Sequence, residues 1–124
     1  MLIIREAQME ALATAAVRRF ETRVCSWLTA TFPERCAELG ADALRDLVQQ
    51  GIKKAAGYGI NQERDVAEFI ALMVRLSPEF DALDTYAWTA RLLRRAHVPA
   101  ELRLERIKER LGGEERRQVH ARGE

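Results

Sequence analysis

Residues 65–76 read Asp-Val-Ala-Glu-Phe-Ile-Ala-Leu-Met-Val-Arg-Leu, a segment in which most side chains suit a protein core. These side chains occupy most of the circumference of a helix, and only a ribbon of Asp65, Glu68 and Arg75 is suited to water. A helix of that kind needs neighbours on several sides. The segment therefore predicts a central helix, around which the other helices of a single all-α domain pack.

Composition limits the class of protein. The chain has 124 residues, 48% of them hydrophobic, which fits one domain with one core. Its 20 basic and 19 acidic side chains nearly cancel, so no overall field attracts nucleic acid or an anionic membrane. The apolar run at the N-terminus is too short for a signal or membrane segment, which predicts a cytoplasmic protein. Cys25 and Cys36 form no CxxC or Cys/His cluster, so we expect reduced thiols on different helices.

The first half of the chain predicts three helices. Apolar residues at three-and-four spacing indicate a long first helix over about 5–31. Pro33 suits the start of a short second helix that ends at Gly40, and Asp42 suits the cap of a third helix to about residue 56. Gly51 lies inside that helix, which indicates a kink or a close approach of another backbone. Residues expected to face inward include Val17, Trp27, Cys36 and Leu39.

The second half predicts three more helices. Asn61 is the expected cap of the central helix. Asp84 or Thr85 is the expected cap of a fifth helix, which ends near His97. A last helix opens after Pro99 and is expected to end at the glycine pair 112–113.

Charge is polarised along the chain. Residues 91–124 contain ten Arg or Lys against six Glu, whereas residues 1–90 contain ten against thirteen Asp or Glu. The expected organisation is a helical domain of five to six helices over 1–111 and a flexible charged tail over 112–124. The basic end is interpreted as a solvated helix or as a docking element for an acidic protein surface. Interleaved glutamates, and the lack of an aromatic residue after Trp88 for base stacking, disfavour nucleic acid.

Side chains suited to catalysis are scarce. His97 lies where a helix dipole favours a cation, and His120 lies in the tail. Asp81 and Asp84 are explained more simply by capping and turn formation than by general acid and base chemistry. Cys25 has apolar neighbours, which is typical of an inert thiol. We therefore predict no catalytic, cofactor-binding or metal-binding residues and a function that is not enzymatic.

Aromatic residues supply the candidates for a binding surface. Tyr and Trp are enriched at binding hot spots because they bury a large area and keep a polar group. The alternative is that Phe80 and Trp88 close the ends of the core. The predicted partner-binding residues are Tyr58, Phe80, Asp81, Tyr86 and Trp88.

Several short segments carry a resemblance to a group of bacterial proteins. They are Ile-Arg-Glu-Ala-Gln-Met at 4–9, Phe-Pro-Glu-Arg-Cys at 32–36, Ala-Ala-Gly-Tyr-Gly at 55–59, Ser-Pro-Glu-Phe-Asp at 77–81 and Tyr-Ala-Trp at 86–88. Across about residues 3–95, the pattern resembles small proteins encoded beside type VI secretion effectors and their spike components. The resemblance implies an adaptor or chaperone that holds an effector or spike component, or else a cognate immunity protein that inhibits the effector. It implies no cofactor, small-molecule substrate or membrane.

Other classes stay open. A nucleic-acid-binding regulator would use the C-terminal arginines, including Arg94, Arg95, Arg106 and Arg110, and its affinity would fall steeply with salt. An enzyme would need a pocket that joins Cys25 or His97 to a carboxylate. The thin apolar face of the last helix also leaves a homo-oligomer open.

Overall fold

The computed structural model describes the backbone of residues 2–122 and the side chains of residues 14–113. Across residues 2–122 the chain is all-α, with six α-helices and no strand, which confirms the predicted fold class. In chain order the helices are α1 (Leu2–Thr31), α2 (Pro33–Leu39), α3 (Ala41–Gly57), α4 (Glu63–Arg75), α5 (Ala87–Leu93) and α6 (Ala100–Arg122). Two short 3₁₀ turns, Phe80–Ala82 and Asp84–Tyr86, lie between α4 and α5. None of the described helices is both long enough and apolar enough to cross a membrane.

Helix α4 is the predicted central helix. It contacts α1, α2, α3 and α6, so other helices cover it on several sides. Phe69, Ile70 and Met73 are among its fully buried side chains. Since burial of one such side chain contributes roughly 1.5–3 kcal/mol, α4 supplies a large part of the hydrophobic stabilisation of the bundle.

Gly51 marks a close approach between α3 and α4. A Cβ atom at this position would lie 2.5 Å from Cγ1 of Ile70 and 3.0 Å from Sδ of Met73. Both distances are too short for ordinary packing. The close approach at Gly51 is therefore made by side chains of α4, which fill the space of a Cβ, rather than by the other backbone that was predicted.

Two helices begin without the predicted side-chain caps. Helix α3 follows Gly40, which has a φ of +83°, and Asp42 lies in the first turn rather than at the cap. Helix α4 follows Gln62, whereas the amide of Asn61 donates a hydrogen bond to the carbonyl of Gly59 at 3.5 Å. Both predicted caps are wrong, because the chain direction at these starts is set by glycine-containing turns.

The last two helices also have different bounds from those predicted. Helix α5 begins at Ala87 and ends at Leu93, short of His97, and a 3₁₀ turn precedes it. Helix α6 continues past the glycine pair 112–113 to Arg122, so its predicted end is wrong. The two glycines lower helix propensity but do not stop the backbone from continuing as a helix. Flexibility of residues 112–124 stays a prediction, and the His120 side chain lies outside the described residues.

Three residues expected to face inward are exposed. Val17 and Trp27 on α1 and Leu39 on α2 retain much of their surface, and Trp27 is 42% exposed. Helices α2, α3 and α4 cover one side of α1, and its apolar stripe is wider than the covered part. Cys36 is buried, as predicted.

Candidate partner-binding surface

Tyr58 and Asp81, two of the predicted binding residues, are bonded to each other. Tyr58 Oη donates a hydrogen bond to Asp81 Oδ2 at 2.6 Å, and Lys54 Nζ donates one to Asp81 Oδ1 at 2.5 Å. Lys54 Nζ also donates to the carbonyl of Pro78 at 2.9 Å. These bonds tie the first 3₁₀ turn to the end of α3. Because the Asp81 side chain is only 11% exposed, its carboxylate serves mainly to hold the fold together.

The charge states of this network follow from its contacts. Burial raises the pKa of Tyr58 to about 12, and the hydrogen bond to Asp81 acts in the same direction. Burial also acts to raise the pKa of Asp81, but the hydrogen bonds from Lys54 and Tyr58 outweigh it and lower the pKa. Near neutral pH the phenol therefore stays protonated and the carboxylate stays ionised. Neither group has the pKa near 7 that suits a general acid or base.

Phe80 belongs to the core. Its side chain is 0% exposed, and its ring centroid lies 5.6 Å from that of Phe69. The Phe69 ring in turn lies 5.9 Å from the ring of Tyr58. The prediction that Phe80 contributes to a partner-binding surface is wrong for this fold, because the turn after Pro78 directs its ring inward against α4.

Trp88 packs against a different helix from Tyr58. The guanidinium carbon of Arg110, on α6, lies 4.2 Å from the centroid of the Trp88 ring. A cation–π contact of this kind contributes roughly 0.5–2 kcal/mol and orients the ring. Both Trp88 and Tyr86 are half-buried, so each presents part of its surface to solvent. The predicted surface thus divides into a bonded Tyr58–Asp81 pair, a core Phe80 and a surface aromatic pair.

Arg103 is a residue whose role the sequence analysis missed. Arg103 is 4% exposed, and three backbone carbonyls accept hydrogen bonds from its guanidinium group. Nε donates to Val98 at 2.9 Å, while Nη1 donates to Tyr58 at 2.9 Å and to Leu93 at 2.5 Å. The guanidinium therefore joins the end of α3, the end of α5 and the loop before α6. Helical spacing indicated that Arg103 shares the inward face of α6, since it lies four and eight residues before the buried Ile107 and Leu111.

Asp65 is buried near Arg103, at 7% exposure, so the prediction that it faces water is wrong. Burial raises its pKa, the charges of Glu101 and Glu68 add to that rise, and Arg64 and Arg103 oppose it. Asp65 is buried because the first turn of α4 lies close to the start of α6. The residues around Asp65 could not predict this contact, because α6 is distant in sequence.

The two cysteines line one open groove. Cys25 on α1 and Cys36 on α2 are free thiols on different helices, and the groove between α1, α2 and the start of α3 measures about 740 Å³. Burial raises the pKa of Cys25, and the opposing effect of Arg45 does not cancel that rise. A raised pKa makes the thiol a poor nucleophile. His97 is exposed and does not line this groove.

Metal binding receives no support from side-chain clusters. Within the part of the chain that the structure describes, no group of three or more His, Cys, Asp or Glu side chains is placed to hold a metal ion.

Trp27 is a second surface aromatic residue that the sequence analysis assigned to the core. It lines a shallow groove of about 210 Å³ between α1 and α4, together with Phe20, Val24 and Ala67. Its exposure makes it a matched counterpart to Trp88 on another face of the molecule.

Comparisons of the chain with protein-family models, with curated proteins and with solved structures find no match. Interpretation of function therefore rests on the geometry above and on the resemblance of the short segments between residues 3 and 95.

Proposed function

We propose that this chain is a non-catalytic protein-binding module. In this proposal it is a cytoplasmic adaptor or chaperone that holds an effector or spike component of a type VI secretion system. Support for a binding role comes from Trp88, which is half-buried and held by Arg110 at 4.2 Å. The type VI context is supported by the resemblance of the short segments.

A surface tryptophan of this kind suits protein recognition. Its ring is held before a partner arrives, so binding loses little side-chain entropy, and covering it removes a large apolar area from water. Such rigid aromatic anchors are common among the few residues that dominate binding energy at interfaces. Tyr86, two residues earlier, is also half-buried. The Tyr58–Asp81–Lys54 network, whose polar groups already bond one another, supports a structural role at that end of α3.

Affinity capture with two matched tryptophan variants tests the proposal. The tagged chain is used to retain proteins from bacterial cytoplasm, and bound proteins are quantified by mass spectrometry for wild type, Trp88→Ala and Trp27→Ala. We expect one abundant partner that Trp88→Ala loses and Trp27→Ala retains. Helix content and melting temperature of both variants serve as folding controls. A partner retained equally by both variants would exclude the Trp88 surface, and the lack of any stoichiometric partner would contradict the binding role.

Co-expression with the captured partner separates the two roles within this class. An immunity protein should abolish the toxicity of the effector in the cell that makes both. An adaptor or chaperone should leave toxicity intact and should be required for export of the effector. A partner that is neither an effector nor a spike component would contradict the type VI assignment while leaving the binding role in place.

A nucleic-acid-binding regulator is the second candidate. Arg94, Arg95 and Arg106 are exposed, and none of the ion pairs among described residues involves them. Phosphate contacts from such arginines would make affinity fall steeply with salt. Filter binding across a salt series, with these residues and Arg110 neutralised, tests this candidate.

A further inference from the structure

Helices α5 and α6 form one arginine-rich surface. We call it the α5–α6 surface, and its residues are Trp88, Arg91 and Leu92 on α5, Arg95 just after the end of α5, and Arg106 and Arg110 on α6.

Two contacts define how the helices run past each other. Near the start of α6, Arg103 donates to the carbonyl of Leu93 at the end of α5. Two turns later, Arg110 covers the ring of Trp88 near the start of α5. The helices are therefore antiparallel along this stretch. Arg106 lies between the two contacts in sequence, and helical spacing places it on the same flank of α6 as Arg103 and Arg110.

Helix α5 supplies the apolar part of the surface. Trp88 and Leu92 are four residues apart and half-buried, so they share one flank of the helix. Arg91 is exposed and lies three residues after Trp88 on the same helix, and Arg95 is exposed two residues beyond the end of α5. The result is a small apolar area with guanidinium groups on both sides.

Three of the four arginines on this surface differ in their pairing from arginines elsewhere in the fold. Other arginines form ion pairs, such as Arg23 with Glu63 at 3.2 Å, whereas no ion pair among described residues includes Arg91, Arg95 or Arg106. Glu109 lies three residues after Arg106, one turn along the same side of α6, but neither Glu105 nor Glu109 forms an ion pair with a described residue. An acidic ligand would supply carboxylates to the guanidinium groups that have none.

We propose that the α5–α6 surface binds an acidic segment of a protein partner, with carboxylates on the arginines and an apolar side chain over Trp88 and Leu92. This inference rests on the proposed binding function and specifies the chemistry of the partner. Guanidinium groups bind carboxylate and phosphate alike. A protein segment is favoured over nucleic acid because the exposed Glu105 and Glu109 interrupt the arginines of α6. A phosphate backbone carries charge at every nucleotide and would meet these carboxylates, whereas the acidic residues of a protein segment can be spaced to avoid them.

Charge reversal with a matched control tests the inference. The probe is a fluorescein-labelled, glutamate-rich peptide with a central leucine, and its affinity is measured by fluorescence anisotropy at low and moderate salt. The surface variant carries Arg91→Glu, Arg95→Glu and Arg106→Glu. The control carries the same change of charge at exposed positions elsewhere, and its substitutions are Arg18→Glu, Arg19→Glu and Lys53→Glu.

We expect the surface variant to bind the peptide about tenfold more weakly, which equals about 1.4 kcal/mol, because exposed charge pairs each contribute modestly and three are reversed together. The control should change affinity by less than about twofold on the same scale. If the glutamate variant lowers the melting temperature, replacement of the same three arginines by glutamine is measured instead and should weaken binding in the same order.

Equal loss of affinity in both variants would mean that only net charge matters and would overturn the inference. So would binding of a single-stranded oligonucleotide of equal charge as tightly as the peptide. The captured partner separates this failure from failure of the proposed function. If the partner is lost with Trp88→Ala but retained by the arginine variant, the acidic segment is excluded and the binding role stands.

Discussion

Replacement of Arg103 by methionine should destabilise the fold more than any other single arginine substitution discussed here. Methionine keeps the length of the side chain and has a helix propensity close to that of arginine, so neither packing volume nor propensity changes much. The substitution removes three charge-assisted hydrogen bonds to the carbonyls of Val98, Tyr58 and Leu93. Those carbonyls lie at the junction of α3, α5 and the loop before α6.

The expected loss in free energy of unfolding is about 3–5 kcal/mol. Each hydrogen bond from a charged group is worth roughly 1.5–3 kcal/mol, but the three bonds are not additive, and water can reach a loop carbonyl once the guanidinium is gone. Removal of the buried charge itself offsets part of the loss. Arg103→Lys should lower the free energy of unfolding by about 1–3 kcal/mol, because an ammonium cannot reproduce the geometry of the guanidinium fork. The loss is smaller than for methionine because lysine keeps a charged hydrogen-bond donor.

Urea unfolding followed by circular dichroism measures these differences. Arg106→Met is the control, since Arg106 is exposed one turn later on the same helix and should change the free energy of unfolding by less than about 0.5 kcal/mol. If Arg103→Met is no more destabilising than Arg106→Met, the three carbonyl bonds do not stabilise the helix junction and the reasoning fails.

Further predictions concern packing, acid stability and thiol reactivity. Gly51→Ala should cost about 1–3 kcal/mol in thermal or urea unfolding because its Cβ would meet Ile70 at 2.5 Å, whereas Gly112→Ala, with nothing within 4 Å, should be neutral or stabilising. Similar effects at both glycines would contradict the close approach. Because the pKa of Asp81 is lowered in the fold, its contribution to stability is present above the unfolded pKa of about 3.9 and is lost as pH falls through the lower folded value. In acid unfolding, Asp81→Asn should therefore flatten the pH dependence between those values, and an unchanged slope would contradict the network. Burial raises the pKa of Cys25, so its reaction with a soluble disulfide reagent, measured in Cys36→Ser, should be slower near neutral pH than that of free cysteine and should accelerate at alkaline pH; a rate matching free cysteine near neutral pH would contradict this.

The predicted binding residues differ from one another in how far they are buried. Aromatic composition indicated Tyr58, Tyr86 and Trp88, which are half-buried. The same composition also indicated Phe80, which is in the core. An aromatic residue in a turn-rich segment can point toward the core or toward solvent. Its direction depends on which helix the turn packs against. That helix is α4, and the Phe80 ring packs against the ring of Phe69 on it.

Local pattern in the sequence was enough to predict the presence and order of the helices, although not the bounds of α5 or the end of α6. The spacing of apolar residues within one segment reports the period of that segment, so the all-α class, the long α1 and the central α4 could all be predicted. The start of α2 at Pro33 follows equally from restrictions on backbone dihedrals near proline.

Only the tertiary structure decided which polar and aromatic side chains are buried. Arg103 is buried because the ends of α3 and α5, far apart in sequence, present their carbonyls to it. Trp27 remains 42% exposed in a shallow groove beside α4, although its spacing resembles that of core residues. Burial and pairing depend on contacts between segments that are distant in sequence. Periodicity within one helix contains no information about which groups of the neighbouring helices will contact it.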